Sequence, residues 1–416
     1  NNAFEDPSFM REILDNKLCG VHIPAAKSNF IKLVINGENW GIYDNVQQLN
    51  KDFYQEWFLS NDGTNWRAEI PDTSTAKPQP GQGGGGFGAG TCSLNYLGNN
   101  PLTYSRYYTL KSTEIENPWN NLMVACDKLN NLPNNLLYDS LKYYLDVDRC
   151  LWHIANEIIF TDDDSYINKG GMDYYVYYDN ETGRLQPVEF DGNSTFLSKN
   201  ANWSIFLKEN DTKYPLANKL FANPELKQRY IAHVRTITND LLDESYFNGI
   251  INNFLTITDQ EVKNDTKKIY SYTQYTNSIN EIKNFIKNRR TNILNNAMIK
   301  AEAPVISNIQ YISSNGVDKP PHQEEKVTVQ ANVSCIAGIS KVLLYYGTGL
   351  MGVFDSVEMF DDGKHNDDIA GDGIYGAEIE SYPVGTYVRF YVEARSANSY
   401  QSASFLPEGA EHNVFF

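Results

Sequence analysis

Asp164 and Asp191 are the carboxylates of this 416-residue chain whose setting could do chemistry. Asp164 closes a run of three acids, Asp162-Asp163-Asp164, and Asp191 follows 27 residues later. Between them stand a strand-like run, DYYVYY from Asp173 to Tyr178, and the turn-prone Asp179-Asn180-Glu181-Thr182-Gly183. A second strand-like run, Leu185 to Phe190, completes a hairpin pattern. A hairpin returns the chain to roughly where it began, so the two carboxylates are expected to face one space. Like charges at close range are costly unless a cation sits between them or one is protonated. Hard divalent ions such as Mg²⁺ suit this oxygen-rich setting, above all with phosphate. The plainer reading of the same residues is an acidic turn beside a solvated hairpin.

One helix must deliver the acidic loop. Val147, Cys150, Leu151, Ile154, Ala155, Ile158 and Ile159 recur at i, i+3, i+4 spacing, which predicts a helix over 146–160 with one buried face. Asp146 is placed to cap it. The order helix, acidic loop, hairpin, second Asp is that of a protein-kinase C-lobe. Asp162 and Asp163 are expected to be solvated neighbours of Asp164.

The residues also resemble a known family. DSYINKGGMDYYVYYDNETGRLQPVEFDGNSTF, from Asp164 to Phe196, is similar to the signature of the CotH kinases, atypical secreted kinases of the spore-coat-protein-H type. Upstream, FIKLVINGENWGIYDNVQQLNKDFYQEWF (Phe30 to Phe58) resembles the family's strand, Asn-Gly, strand hairpin, and YYTLKS (Tyr107 to Ser112) its Tyr-x-Leu-Lys segment. The resemblance covers roughly residues 5 to 300. It implies ATP- and Mg²⁺-dependent phosphoryl transfer to a protein Ser/Thr substrate, in a secreted or cell-surface setting. By the same resemblance Asp164 is the catalytic-loop residue, Asp191 ligates Mg²⁺, and Asn193 is a weaker second oxygen ligand. Asp173 and Lys169 would complete the metal and phosphate shells. The chain departs from the family pattern at Gln47 and Gln48, where a glutamate is usual, at Arg67, where a phosphate-binding lysine is usual, and at Asn193. Arginine can hold phosphate oxygens bidentately but is not equivalent to lysine. Lys111 is the alternative phosphate contact, or else a solvent-facing lysine.

The expected fold class is α+β: a two-lobed, atypical protein-kinase-like domain over 1–302 and an all-β immunoglobulin-like sandwich over 303–416. The N-lobe is placed at about 1–115 and the C-lobe at about 116–302. Asn36-Gly37 is a strong two-residue hairpin signal. Residues 79–92, QPGQGGGGFGAGTC, lack both GxxxxGK[ST] and the strand–helix context of a nucleotide fingerprint, and so read as a loop. Beyond Ala303-Pro304 come short alternating runs, at Val327–Val333, Ser340–Gly347, Asp355–Phe360 and Thr386–Ala394, the texture of a sandwich. Between two of them DDGKHNDDIAGDGIYG offers Asp362, Asn366, Asp368 and Asp372 as candidate Ca²⁺ ligands, without EF-hand spacing. A long polar turn held by Asx bonds is the alternative.

With 41% hydrophobic residues the chain can bury a sizeable core, and its net charge of −17 argues against a broad nucleic-acid surface or an anionic-membrane patch. No stretch reaches the roughly 20 apolar residues of a membrane span. The opening NNAFEDPSFM suits a processed secreted protein or a fragment. Five cysteines show no metal-type spacing. Cys126 and Cys150 read as core residues, leaving Cys19 and Cys92 as a possible disulfide pair. Besides the kinase reading, two others stand: a catalytically inactive kinase-like surface binding protein or adhesin, and a carboxylate-pair glycosidase.

Overall fold

The computed structural model describes residues 3–69, 92–168 and 171–416. They form two compact units, Asn1–Pro224 with Thr236–Leu294, and Glu225–Arg235 with Asn295–Phe416. The second unit thus takes in a helical segment as well as the C-terminal strands.

In the first unit, helix α1 (Arg11–Cys19) is started by Asp6. The Asp6 carboxylate accepts backbone N–H groups of Ser8, Met10 and Arg11, each at 2.9 Å, satisfying donors the first turn leaves open. Strands β1 (Ser28–Ile35) and β2 (Glu38–Val46) form a separate two-stranded sheet. Ile35 pairs with Glu38 across Asn36-Gly37, both at positive φ, the two-residue turn expected from sequence. Helix α2 (Lys51–Phe58) is capped by the Asn50 side chain. Strand β3 (Thr64–Ala68), helix α3 (Pro101–Tyr104) and strand β4 (Tyr108–Ser112) follow, then helices α4 (Trp119–Asn131), α5 (Leu137–Leu141) and α6 (Val147–Phe160). The predicted hairpin is β5 (Tyr174–Asp179) and β6 (Arg184–Val188). Helices α7 (Pro215–Ala222), α9 (Glu244–Asn264) and α10 (Tyr272–Leu294) come after it, while α8 (Pro224–Asp240) belongs for most of its length to the second unit.

The four-stranded antiparallel sheet runs β4-β3-β5-β6. Its β3–β5 ladder extends from Thr64↔Tyr178 to Ala68↔Tyr174, so the sheet draws strands from both sides of the lobe boundary expected near residue 115. Aromatic packing fixes α2 on this sheet. Tyr177 of β5 stacks on Tyr54 at 4.1 Å and on Phe58 at 4.7 Å between ring centroids.

Helix α6 differs from its expected one-faced burial, for all 14 of its residues are buried. Some of its polar groups are satisfied by inward bonds. Glu157 accepts the backbone N–H groups of Tyr166 (3.2 Å) and Ile167 (2.9 Å), while buried Arg289 of α10 donates to the carbonyls of Ile158 (2.9 Å) and Ile159 (3.2 Å). That arginine satisfies carbonyls the helix end leaves open. Cys19 and Cys92 are not joined: both are buried thiols, and the Cys19 Sγ faces Asp15 Oδ1 at 3.6 Å instead.

The second unit contains helix α11 (Ala297–Lys300) and eight strands, β7 (Val305–Ser313), β8 (Gly316–Val317), β9 (Val327–Ser334), β10 (Ile339–Thr348), β11 (Asp355–Glu358), β12 (Ile374–Ile379), β13 (Val388–Ser396) and β14 (Ala403–Leu406). Two four-stranded sheets, β11-β10-β13-β14 and β12-β9-β7-β8, make the sandwich. Alternate residues Val329, Ala331 and Val333 of β9 pack with Val342, Leu344, Val392 and Ala394 in one core. Architecture and composition agree on an α+β chain ending in an immunoglobulin-like module.

Candidate functional site

Asp191 follows β6 at the start of a single 3-10 turn, Gly192–Ser194, and adopts a left-handed backbone with φ 62°. Asp173, just before β5, is left-handed as well, with φ 55°. A non-glycine residue holds that conformation only where its surroundings impose it. For Asp191 they are explicit. Arg11 of α1, paired with Asp6 at 3.3 Å, donates through Nη1 to the carbonyls of Thr195 (2.7 Å) and Phe196 (3.1 Å). Asp15, one turn further along α1, lies so close to Gly192 that a Cβ there would meet Asp15 Oδ2 at 2.2 Å. The Asp163 N–H donates to the Ser194 carbonyl (3.2 Å), and the Phe196 N–H to that of Phe160 (2.8 Å). The hairpin therefore closes as its spacing predicts, joining the acidic loop to the Asp191 turn.

The electrostatics of Asp191 record its neighbours. Its pKa is raised to about 6, first by burial, then by Glu12 and Asp173; the Arg67 guanidinium opposes this, and Asp164 adds a further rise. Asp164 is half-buried, with its N–H donating to Asp162 Oδ1 at 3.1 Å. Asp173 is committed to Arg67, whose Nη2 lies 2.8 Å from its Oδ1. Arg67 also pairs with Glu69 (3.2 Å) and lies over the Phe190 ring at 4.7 Å, while Lys111 reaches Glu69 at 3.0 Å. Arg67 and Lys111, two of the candidate phosphate cations, thus share one carboxylate.

Phe190 and Lys111 open onto a cleft of about 550 Å³, lined also by Glu12, Asp44, Gln48 and Tyr175. The Asp44 carboxyl is pushed up to about 8 by burial, then by Glu12 and Asp6. Glu12 therefore sits electrostatically between the cleft and Asp191. Sequence reasoning missed it, because α1 read only as a leading helix. Asn193 is half-buried, its Oδ1 accepting from the Ser194 hydroxyl at 3.0 Å.

Asp162 and Asp163 are not the solvated neighbours expected. Asp162 is buried, and burial followed by Glu189 and Asp15 raises its pKa well above the carboxylate range. Asp163 accepts the side-chain amides of Asn168 (3.0 Å) and Asn200 (3.1 Å) and pairs with Lys199 (2.8 Å), so it fastens the loop. Beneath them, Asp15, Cys19 and Glu189 bring donor atoms within 4.8 Å of one another, as do His153, Glu157 and Glu189. Asp164, Asp173 and Asp191 do not gather that tightly among the described residues. The i, i+4 pair His153 and Glu157 was the sequence signal available for this second cluster. Lys169 and the glycine-rich residues 79–91 lie outside the described residues.

In the C-terminal module the acidic loop spends its oxygens on its own backbone. Asp361 accepts from the N–H of Gly371 (2.6 Å) and Gly373 (3.0 Å), and Asp367 from Gly363 (2.6 Å) and His365 (2.8 Å). Of the candidate Ca²⁺ ligands, Asp362 accepts from Lys364 N–H (3.0 Å), Asp372 from Ile374 N–H (2.9 Å), and Asn366 donates to Thr328 Oγ1 (2.9 Å). Asp368 lies in the same loop at φ 60°.

Comparison with known proteins agrees with this architecture. Residues 348–398 match the second Ig-like domain of conditioned medium factor. No curated protein matches the chain significantly. Residues 1–293, the stretch that holds Glu12, Arg67, Asp164, Asp173 and Asp191, match the CotH kinase protein family, and the chain belongs to that family.

Proposed function

We propose that the first unit is an ATP- and Mg²⁺-dependent kinase acting on hydroxyl side chains of a protein substrate, in a secreted or cell-surface setting. The observation that carries this reading is the crowding of Asp191 by Glu12, Asp173 and Asp164 with Arg67 as the opposing charge, beside the cleft bounded by Phe190 and Lys111. Such an excess of carboxylate fits a hard divalent cation. Asp191 would hold it, with Glu12 and Asn193 as further oxygen donors. When bound with nucleotide, Mg²⁺ supplies neutralisation of charge on the phosphate oxygens.

The chain's own residues divide the remaining work. A carboxylate on a metal loses basicity, so Asp164, away from the ion, orients the acceptor hydroxyl and takes its proton. Arg67 presents a fork to phosphate oxygens, held in direction by Asp173 and Glu69. Lys111 gives a second positive charge at the cleft.

A kinase-like binding protein without turnover is the second reading. It is favoured by one observation, that Arg67 and Lys111 are both already paired with carboxylates. Thermal-shift titration with MgATP, followed by turnover of γ-labelled ATP, separates the two. Mg²⁺-dependent binding with transfer supports the kinase, and binding without transfer supports the scaffold. Absence of nucleotide binding contradicts both.

A further inference from the structure

Under the Asp191 turn lies a cluster that phosphoryl transfer does not use: His153 and Glu157 of α6, Glu189 at the end of the hairpin, Asp15 and Cys19 of α1, and Asp162 of the acidic loop. All six are buried. From the donor set and its unpaired atoms we propose that His153, Glu157 and Glu189 hold one divalent d-block cation, of the Zn²⁺ or Mn²⁺ class, with Asp15, Cys19 and Asp162 as the surrounding donors.

The geometry is that of a collapsed ligand set. His153 Nε2 stands 2.9 Å from Glu157 Oε1, and Nδ1 stands 3.7 Å from Glu189 Oε2. The Nε2 contact is an ion pair with Glu157, while Nδ1 of this fully buried imidazole has no hydrogen-bond partner. Asp15 Oδ2 and Asp162 Oδ2 are likewise buried without a hydrogen-bond partner. Unpaired polar atoms at such depth are uncommon and costly, and here they belong to residues whose charges act on one another. Four carboxylates and one histidine buried together would carry a negative excess if all the carboxylates were ionised, and a dication would neutralise it.

Both three-donor groups include Glu189 and already fall within 4.8 Å, so modest side-chain movement brings them to the roughly 2.0–2.2 Å metal–donor distances of nitrogen and oxygen ligands. A mixed imidazole and carboxylate set with a thiol nearby favours Zn²⁺ over Mg²⁺. Glu157 also carries the N–H groups of Tyr166 and Ile167, which orient it as outer partners orient metal ligands. Because the site is closed, the ion is taken up as α1 docks on the turn after Asp191, and its role is to fix the floor beneath Asp191.

The test uses the full chain, stripped with chelator, refolded with ZnCl₂ or CoCl₂, and dialysed. Elemental analysis should find one Zn²⁺ per chain in the parent and in Asp191→Asn, which separates this site from the nucleotide metal. The Co²⁺ form should show a ligand-field spectrum distinct from the hydrated ion. Glu189→Gln and His153→Gln should lower Zn²⁺ affinity at least tenfold. Where a variant fails to fold, the parent's stoichiometry and Co²⁺ spectrum decide. A parent chain that retains no metal and melts unchanged with Zn²⁺, Co²⁺ or Mn²⁺ overturns the proposal, as does metal content that survives in folded His153→Gln/Glu189→Gln.

Discussion

Arg67 Nη2 donates to Asp173 Oδ1 at 2.8 Å, so the cation expected at phosphate and a carboxylate expected at the metal are bound to each other. The pair spans β3 and the start of β5, neighbours in the sheet. Asp173 is thereby the anchor that aims Arg67. Charge-assisted hydrogen bonds of this kind contribute about 1.5–3 kcal/mol, roughly tenfold to a hundredfold in binding. Arg67→Ala should weaken MgATP binding by about that factor. Asp173→Ala should weaken it less while leaving the Mg²⁺ dependence in place. Isothermal titration checks both, and loss of Mg²⁺ dependence in Asp173→Ala would make Asp173 a metal ligand instead.

Protonation supplies a second expectation. Asp191 and Asp44 have folded pKa values raised from 3.8 to about 6 and about 8. A carboxylate with a raised folded pKa makes the folded state bind the extra proton. Its effect therefore lowers stability as pH rises from the unfolded to the folded value. In chelator, the chain should lose stability from these two groups between about pH 4 and pH 8, and Asp44→Asn should flatten the change. Melting curves at pH 5.5 and pH 8 measure it. An equal pH response in Asp44→Asn would remove Asp44 as the cause. By the same linkage, Mg²⁺-nucleotide binding should weaken as pH falls through about 6, because Asp191 must be ionised to ligate.

The attachment of α1 is a third point of test. Arg11 is buried, paired with Asp6, and bonded to the carbonyls of Thr195 and Phe196. Breaking a buried pair from one side costs about 3 kcal/mol or more. Arg11→Met should destabilise the chain by that order in urea unfolding. At temperatures where it remains folded it should also depress nucleotide binding, since the turn behind Asp191 is loosened. Unchanged stability would mean that the Asp191 turn holds itself.

Local signals carried much of this architecture. Asn36-Gly37 fixed a two-residue hairpin, Asp146 capped α6, and the tyrosine-rich run before Asp179–Gly183 with the Leu185–Phe190 run after it gave β5 and β6, because turn chemistry and period-two patterning act over a few residues. Long-range pairing was not legible in the same way. That β5 joins β3 rather than a separate C-terminal lobe depends on a ladder between residues more than a hundred positions apart. The full burial of α6 was hidden because Arg289, which closes its end, comes 129 residues after Phe160. Among the candidate residues, the approach of Asp164 to Asp191 was legible from the hairpin between them. The places of Glu12 and Asp15 were not, since the docking of α1 on the 192–196 turn brings them there, and Glu189 was not because its neighbours His153 and Glu157 lie on α6. Asp162 looked solvated because an acidic triplet ordinarily is.

The most direct measurement of the central claim is transfer from γ-labelled ATP together with MgATP binding, for the parent, Asp191→Asn and Asp164→Asn. The parent should bind and transfer. Asp191→Asn should lose Mg²⁺-dependent binding and transfer together, whereas Asp164→Asn should keep binding within a few-fold and lose transfer. Variants as active as the parent would contradict the kinase mechanism, and two inactive variants that bind MgATP equally well would place the metal on another carboxylate.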